Sequence, residues 1–295
     1  MLRKLLKKML NFGFVENSQI KYMIIYPPSK INIGLYVTGK RDDGYHNIYS
    51  VFYPLKLCDI LEFLQFDEGH GASDQLELSG MGIPGDKSGN LLLKACRAVR
   101  EKSGLPFLKL HLHKQIPVGA GLGGGSSDAA SLLKELGQIA SPRLDPESLR
   151  GMALQLGSDC PFFLDPETSV AVGRGEELKR IEIDLQGYWL SIFNPGIHVS
   201  TAEAYGLVEI GEPDYSIEEV LKEPPVVWEN RIDNVFEEPV FRMFPRIREI
   251  KEELYKSGAA YASMSGSGSS VFGIFDKKAR FSGRLGKYHI WTEEL

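Results

Sequence analysis

The sequence carries near its middle the glycine-rich run Pro117-Val118-Gly119-Ala120-Gly121-Leu122-Gly123-Gly124-Gly125-Ser126-Ser127-Asp128. Residues 117–127 of this run are called the glycine loop below. The alternating segment before it, residues 108–116, predicts a strand, and Ser126 and Ser127 are suitable caps for the helix predicted after it. Glycine lets backbone N–H groups approach a ligand, and the start of a helix adds unpaired donors and a positive dipole end. We therefore expect the loop to hold phosphate groups.

Other phosphate-binding loops fit this run poorly. Gly119, Gly121 and Gly124 satisfy the spacing G-x-G-x-x-G, but the run lies mid-chain and not in an opening βαβ unit. No Lys-Ser/Thr pair follows the glycines, as a Walker loop requires, and the trailing valine of the protein-kinase loop is missing. A flexible linker is disfavoured because linkers are not usually framed by a strand and a helix.

Composition excludes several classes of protein. The 295 residues are 43% hydrophobic and 25% charged, which indicates a globular chain and not a disordered, collagen-like or disulfide-rich one. The formal charge of -5 argues against a surface built to bind nucleic acid or an anionic membrane. Cys58, Cys96 and Cys160 are too widely spaced for a disulfide framework, and no apolar run reaches the ~18–20 residues of a membrane span. We expect a cytoplasmic protein with no nucleic-acid or membrane partner.

Residues 1–22 stand apart as a basic extension. The opening MLRKLLKKML places apolar side chains on one helical face and basic ones opposite, a pattern compatible with a helix lying on a membrane surface. The alternative is a dispensable extension with Met23 as the real start, because strand-like sequence begins at Met23. The residues themselves leave both interpretations open.

Strands and helices mix irregularly along the chain, which predicts an α+β fold. Strand patterns cover residues 23–26, 31–38, 47–57, 108–116, 188–193 and 271–275. Helix patterns begin after Asn90, after the glycine loop, after Asp145 and after Ser200, and a long one covers residues 239–256. A change of pattern near residue 178 predicts two domains, residues 23–178 and 179–295.

A few polar side chains occupy positions that suit chemistry. Lys30 and Asn32 share one face of a predicted strand by its two-residue period, so both can face the same site. Asp159 follows a helix-ending glycine, where a carboxylate is either a local cap or a working base. His111 and His113 share a strand face without a carboxylate or cysteine at ligand spacing, so no metal ligands are predicted.

Five motifs, in order from about residue 23 to about residue 276, closely resemble those of the GHMP small-molecule kinases. They are Pro28-Ser29-Lys30-Ile31-Asn32, Arg41-Asp42-Asp43-Gly44-Tyr45-His46, the glycine loop with Asp128, Gly157-Ser158-Asp159-Cys160-Pro161-Phe162 and Met264-Ser265-Gly266-Ser267-Gly268-Ser269. The resemblance implies a two-domain GHMP kinase fold: a ribosomal-protein-S5-domain-2-like N-terminal domain that binds ATP and a ferredoxin-like C-terminal domain. The Gly-Tyr-His hairpin points to a member whose acceptor carries cytidine diphosphate.

The resemblance implies roles for two catalytic residues. Asp159 would take the proton from the acceptor's C2 hydroxyl, while Lys30 would keep Asp159 ionised and steady developing charge. Phosphoryl transfer needs little covalent help, so alignment and electrostatic stabilisation should supply most of the rate. The implied reaction is ATP-dependent phosphorylation of a cytidine diphosphate-linked methylerythritol, giving its 2-phosphate and ADP, in the non-mevalonate route to isoprenoid precursors.

Further residues are implied in binding ATP. They are the glycine loop, Asn90 and the turn residues Gly266, Ser267 and Gly268, although Asn90 is equally well explained as a helix cap. Mg²⁺ is expected with ATP. Phosphates and water are expected to provide most of its ligands, because the sequence shows no acidic cluster that would supply them.

On the acceptor side, the resemblance implies a site for cytidine. Tyr45 would stack on cytosine, and His46 would hydrogen-bond to the base or its diphosphate. Tyr205, where the family often has Phe, would be the second aromatic of a sandwich and keeps the stacking face. Asn32 and Thr201 complete the set implied to bind the acceptor.

The chain is expected to be a monomer or a homodimer, and two other functions stay open. The first alternative function is a GHMP kinase for another small alcohol, mevalonate or homoserine, but such an acceptor has no need of the aromatic platforms Tyr45 and Tyr205. The other is a non-catalytic relative that binds nucleotide. The joint presence of Lys30, Asp159 and an intact glycine loop argues against it.

Overall fold

A computed structural model describes residues 22–66, 73–83 and 87–295. Within these segments the strands are β1 Tyr22–Ile25, β2 Pro28–Lys40, β3 His46–Cys58, β4 Ile60–Gln65, β5 Gln75–Gly80, β6 Leu108–Lys114, β7 Ser169–Val172, β8 Glu177–Arg180, β9 Trp189–Phe193, β10 Tyr261–Met264, β11 Val271–Phe275 and β12 His289–Glu294. The predicted extension lies outside the described residues, apart from Tyr22 at the start of β1.

The helices of the described segments lie mainly between the strands. They are α1 Leu91–Lys102, α2 Gly124–Ile139, α3 Pro146–Leu156, α4 Cys160–Phe163, α5 Thr201–Tyr205, α6 Ile217–Val220, α7 Glu237–Met243, α8 Pro245–Lys256 and α9 Gly283–Gly286, with short 3₁₀ turns at Lys87–Gly89 and Pro225–Val227. None of them is long and apolar enough to cross a bilayer.

The described strands form three four-stranded sheets. Their orders are β1-β4-β6-β5, β2-β3-β7-β8 and β10-β11-β9-β12. Neighbouring strands are antiparallel except β5 and β6, which run parallel. Antiparallel sheets with helices on their faces confirm the predicted α+β class.

Two buried clusters hold the layers together. The first joins Leu61 and Leu110 of the β1-β4-β6-β5 sheet to residues of α1 and α2, such as Leu92 and Leu133. The second joins the β2-β3-β7-β8 sheet to the β10-β11-β9-β12 sheet through side chains that include Ile33 and Phe272. Burying these apolar faces fixes the loops at the strand ends, because the loops are anchored at both sides.

Local caps confirm two predicted helix starts. Asn90 Oδ1 accepts a hydrogen bond from Leu92 N at 2.9 Å, and Asp145 Oδ1 accepts one from Ser148 N at 2.8 Å. The single helix predicted over residues 239–256 is wrong, because Pro245 divides it into α7 and α8. Proline disfavours a helical conformation at the preceding residue, and Phe244 has φ -131° and ψ 75°.

The predicted division into residues 23–178 and 179–295 stays a prediction. Strand β8 spans that boundary and pairs with β7 on the sheet that begins with β2. Cytoplasmic location and oligomeric state likewise stay predictions.

Candidate active site

Strand β2 presents Lys30 and Asn32 together, as its two-residue period predicts. Lys30 Nζ donates to Asn32 Oδ1 at 2.5 Å, and both residues are almost fully buried. Asn32 Nδ2 donates in turn to Ser50 Oγ of β3 at 2.9 Å. The lysine ammonium is therefore held in place by an amide that is itself fixed to the neighbouring strand.

Asp159 lies directly before α4 and faces this lysine. Asp159 Oδ2 is 3.5 Å from Lys30 Nζ, and the aspartate side chain is 31% exposed whereas that of the lysine is 5% exposed. The carboxylate makes no capping hydrogen bond to α4. The sequence left Asp159 as either a helix cap or a working base, and this geometry favours a carboxylate that is available to a ligand.

Burial lowers the pKa of Lys30, and the nearby Asp159 carboxylate opposes that shift. The ring of Phe52 adds to the apolar surroundings, with Lys30 Nζ 4.4 Å from its centroid. An ammonium removed from water in this way exerts its charge through a low-dielectric environment. It can therefore stabilise a developing negative charge more strongly than an exposed lysine could.

The glycine loop passes close to β2. Lys30 N donates to Leu122 O at 3.0 Å, and Gly119, Gly121 and Gly123 have φ of 63°, 78° and 71°. A side chain on Gly121 would place its Cβ 1.8 Å from Ser265 O. Only glycine fits there, because the loop adopts a left-handed conformation and contacts another backbone.

Helix α2 starts earlier than predicted. Its N-cap is Gly123, in a left-handed conformation and without a side-chain hydrogen bond, so the predicted caps Ser126 and Ser127 instead lie in the first turn. Ser127 N donates to Gly123 O at 2.9 Å, as in a regular helix. Because no side chain caps this end, the first N–H groups of α2 have no side-chain partner, and a phosphate contact for them stays a prediction.

A second glycine turn, residues 265–269 between β10 and β11, meets the glycine loop. Ser265 Oγ donates to Gly121 O at 2.7 Å, and Asn32 N donates to Ser265 Oγ at 3.2 Å. Thr201 Oγ1 and Ser267 Oγ are 3.2 Å apart. Residues from β2, α5 and both turns are thus tied into one site.

Aromatic side chains form the opposite wall. The rings of His46 and Tyr205 are stacked at 4.9 Å and 28°, and the ring of Tyr205 meets that of Phe236 edge-on at 4.8 Å. Tyr45 is 49% exposed. Burial, with a smaller effect of Asp159, raises the pKa of Tyr205 to about 12, so its hydroxyl stays protonated at neutral pH.

These walls enclose a cavity of about 670 Å³, a size suited to small ligands. The predicted residues that line it are Lys30, Asn32, Tyr45, His46, Gly119, Gly121, Gly123, Asp159, Thr201, Tyr205, Gly266, Ser267 and Gly268. The other predicted residues lie outside its lining: Asn90, Pro117, Val118, Ala120, Leu122, Gly124, Gly125, Ser126 and Ser127. Asn90 acts as the cap of α1, and an ATP contact for it stays a prediction.

The sequence analysis missed Ser158 and Arg174, which also line the cavity. Arg174 lies between two glycines in the turn from β7 to β8, with its guanidinium 3.8 Å from the centroid of the Tyr45 ring. The sequence signal was Gly173-Arg174-Gly175, a tight turn that displays one long side chain. Ser158 directly precedes Asp159 in a motif already singled out.

Two family models match the chain in the segments that build this site. The model of the GHMP kinases N terminal domain matches residues 90–165, and the GHMP kinases C terminal model matches residues 225–283. These segments contain the glycine loop, Asp159 and the second glycine turn. The fold and the site therefore define a GHMP kinase.

Proteins similar to this chain identify which kind of GHMP kinase it is. The 4-diphosphocytidyl-2-C-methyl-D-erythritol kinase of Azobacteroides pseudotrichonymphae is 46% identical over 261 residues, 88% of this chain and 95% of that relative. The kinase of the same name from Parabacteroides distasonis is 43% identical over 88% of this chain and 94% of its own. A crystal structure of 4-(cytidine 5'-diphospho)-2C-methyl-D-erythritol kinase matches with a TM-score of 0.71 and 35% identity, covering 85% of this chain and 90% of that one. The chain belongs to this family of kinases.

These matches confirm the predicted family, the predicted fold and the predicted activity as an ATP-dependent small-molecule kinase. The roles of individual residues stay predictions.

Proposed function

We propose that this chain transfers the γ-phosphate of ATP to the C2 hydroxyl of 4-diphosphocytidyl-2-C-methyl-D-erythritol, giving the 2-phosphate and ADP. The observation that carries the proposal is the Lys30–Asp159 pair at 3.5 Å, which opens into the same cavity as the glycine loop and Tyr45. A nucleophile activator, a phosphate cradle and a stacking surface thus share one enclosed space.

Asp159 acts as the general base. Its partly exposed carboxylate accepts the proton of the C2 hydroxyl as that oxygen attacks the γ-phosphorus, and ADP leaves on the opposite side. The bond between the γ-phosphorus and the bridging oxygen of ADP breaks as the new bond forms. The proton remains on Asp159 until it is released to solvent.

Lys30 supports this step electrostatically. Its buried ammonium is positioned by Asn32 and contacts the carboxylate that takes the proton. The charge offsets the negative charge that builds on the transferred group. Since Asn32 is itself held by Ser50, the lysine requires little rearrangement during turnover.

The glycine loop and the second glycine turn hold the ATP phosphates through backbone N–H groups. Mg²⁺ accompanying ATP stays a prediction, and the described residues contain no group of three or more His, Cys, Asp or Glu side chains placed to bind a metal. The ion would be held by phosphate oxygens and water, as Mg²⁺ often is.

Tyr45, His46 and Tyr205 orient the cytidine end of the acceptor. His46 covers one face of the Tyr205 ring, so cytosine would use the remaining aromatic surface or displace the imidazole. Each stacked ring contributes roughly 1–3 kcal/mol to holding a base. That binding energy positions the distant C2 hydroxyl at Asp159.

The test is an ADP-release assay with three acceptors: the cytidine diphosphate-linked alcohol, mevalonate and homoserine. We expect kcat/KM for the first to exceed the others by roughly 10³-fold or more, because contacts to cytidine are unmet by a small alcohol. Reactions without acceptor correct for ATP hydrolysis. Preferential turnover of mevalonate or homoserine contradicts the proposal, and so does an enzyme that binds ATP but phosphorylates none of the three.

A further inference from the structure

The turn between β7 and β8 delivers an arginine into the cavity. Gly173 and Gly175 on either side of Arg174 have φ of 67° and 110°, and Gly173 O accepts a hydrogen bond from Ile48 N at 2.7 Å. Arg174 N donates to Glu176 Oε2 at 2.5 Å. The backbone that carries Arg174 is therefore fixed, while its side chain is directed into the site.

The side chain of Arg174 joins the aromatic wall to the catalytic segment. Its guanidinium carbon is 3.8 Å from the Tyr45 ring centroid, and Nε and Nη2 lie 3.3 and 3.2 Å from Ser158 Oγ as donors. Ser158 is the residue before Asp159. The guanidinium thus lies between the surface expected to hold cytosine and the base expected to activate the alcohol.

Arg174 differs from the other arginines that lie over aromatic rings in the described segments. Arg100, Arg246 and Arg248 are each also paired with a carboxylate, those of Asp74, Glu249 and Glu238. No carboxylate of a described residue lies within 4.0 Å of the Arg174 side-chain nitrogens. A hydrogen bond from the Tyr45 backbone lowers the pKa of the exposed Asp43 carboxyl, and the charge of Arg174 contributes to this shift at longer range. A cation that forms no direct ion pair in a ligand cavity is suited to an anionic group of the ligand.

We propose that Arg174 binds the diphosphate that joins cytidine to the alcohol of the acceptor. The inference rests on the proposed function, because that acceptor carries its diphosphate between the base and the reacting hydroxyl. A guanidinium presents several donors in one plane and can bind two phosphate oxygens together, while its face remains against Tyr45. Arg174 is then a determinant of specificity for a diphosphate-linked acceptor and not part of the ATP site.

The experiment compares wild-type enzyme with Arg174→Met, Arg174→Lys and a matched control, Arg248→Met, which removes an arginine stacked on Phe241 outside the cavity. Affinities for CDP and for cytidine are measured by calorimetry, and steady-state kinetics are measured with the full acceptor. Using both nucleotides separates the diphosphate contact from the base contact.

We expect Arg174→Met to raise the acceptor KM about 10- to 100-fold, as for a lost charge-assisted contact. The KM for ATP should stay within about threefold, as should cytidine affinity. The preference of the wild type for CDP over cytidine should largely disappear in Arg174→Met, persist in part in Arg174→Lys and remain in Arg248→Met. Unchanged cytidine affinity also shows that the variant is folded.

A wild-type preference for CDP that survives in Arg174→Met overturns the inference, while the proposed function stands. A variant that loses kcat and ATP affinity but keeps that preference also overturns it, because Arg174 would then contact the ATP side. If Arg174→Met fails to fold, Arg174→Gln provides the same comparison. A wild-type enzyme that does not turn over the diphosphate-linked acceptor would contradict the proposed function itself.

Discussion

Two lysine–aspartate clusters lie on either side of the glycine loop, and they differ in how completely their charges are satisfied. One is the pair proposed to be catalytic, called the catalytic pair below: Lys30 with Asp159, separated by 3.5 Å, with the aspartate 31% exposed. The other cluster, called the buried triad, consists of Lys114, Asp59 and Asp128, whose side chains are 2%, 0% and 4% exposed.

The lysine and three of the four carboxylate oxygens of the buried triad have partners within the protein, whereas Asp128 Oδ1 is buried without a hydrogen-bond partner in the part of the chain that the structure describes. Lys114 Nζ contacts Asp59 Oδ2 directly and donates to Asp128 Oδ2 at 2.9 Å. Asp59 Oδ1 also accepts from Gln115 N at 2.6 Å and Ile116 N at 3.0 Å. Asp128 belongs to α2, so the triad ties the start of that helix to β6 and to the end of β3.

The catalytic pair, in contrast, leaves a carboxylate facing the cavity with one loose ionic contact. The same residue types therefore serve two purposes. The contacts of the triad fix the backbone around the start of α2, whereas the catalytic pair leaves a carboxylate oxygen exposed to the cavity, as the proposed general base requires. Exposure, and not residue type, distinguishes the cluster proposed to react from the buried one.

The largest expected effect comes from removing the reactive carboxylate. Asp159→Asn should lower kcat by roughly 10²- to 10⁴-fold, the usual contribution of a general base, with the KM for ATP nearly unchanged. ADP-release kinetics measure both values. Asp165→Asn, at a 65% exposed position, is the matched control and should keep wild-type kcat. A kcat within threefold of wild type would show that Asp159 takes no part in the chemical step. The greater exposure of its carboxylate would then not mark a catalytic role.

Removing the lysine of the buried triad should affect stability and not the chemical step. Lys114→Met leaves the carboxyl groups of Asp59 and Asp128 buried without a cation, which should cost about 3–5 kcal/mol of unfolding free energy. Lys109→Met on the same strand is the control, since its partner Glu77 is 60% exposed and the pair contributes at most about 1 kcal/mol. Urea unfolding at pH 7 measures both variants. Equal losses for Lys109 and Lys114 would show that burial of the triad adds nothing.

Local sequence predicted those parts of the site that short-range rules determine. The glycine loop lies between a strand and a helix, and Lys30 and Asn32 share a face because strands have a two-residue period. The break at Pro245 was also readable, but the apolar periodicity continuing across it favoured one long helix. The start of α2 was misplaced because Gly123, with its left-handed φ, takes the cap position from the serines.

Contacts between distant segments could not be read from pattern alone. Lys30 and Asp159 meet only because the fold brings β2 beside α4, and only the resemblance to GHMP kinases predicted their pairing. The buried triad joins three separate segments, and nothing local marks Asp59 or Lys114 as buried. Arg174 was missed for the same reason, since its partner Tyr45 lies on another hairpin.

A smaller effect should appear in the alkaline pH dependence of the catalytic pair. Because burial lowers the pKa of Lys30 below its ordinary value of 10.5, its ammonium loses its proton at a lower pH than a free lysine does. The kcat of the wild type should therefore fall as pH rises through this lowered pKa. Lys30→Arg keeps the charge, so its lower kcat should stay flat over the same range. The same alkaline decline in both enzymes would assign it to another group.

A further effect is expected at Asp128, whose pKa is shifted in the direction opposite to that of Lys30. Burial raises the pKa of Asp128 from 3.8 to about 7, with Lys114 opposing and Asp59 adding to the shift. The folded state thus holds a proton that the unfolded chain releases. The resulting stability is complete below pH 3.8 and is lost as pH rises through about 7.

The stability of Asp128→Asn relative to wild type should therefore increase between pH 5 and pH 8, by roughly 2–3 kcal/mol for a pKa raised from 3.8 to about 7, because the amide carries no charge to desolvate beside Asp59. Urea unfolding at the two pH values measures the difference. The exposed cap variant Asp145→Asn is the control: its Ser148 hydrogen bond lowers the pKa of that carboxyl, so it titrates below this range and should show no trend. A triad that needs the charge of Asp128 would instead make Asp128→Asn less stable at pH 8 than at pH 5, relative to wild type. That outcome would show that the stability of the buried triad depends on the ionised carboxylate of Asp128.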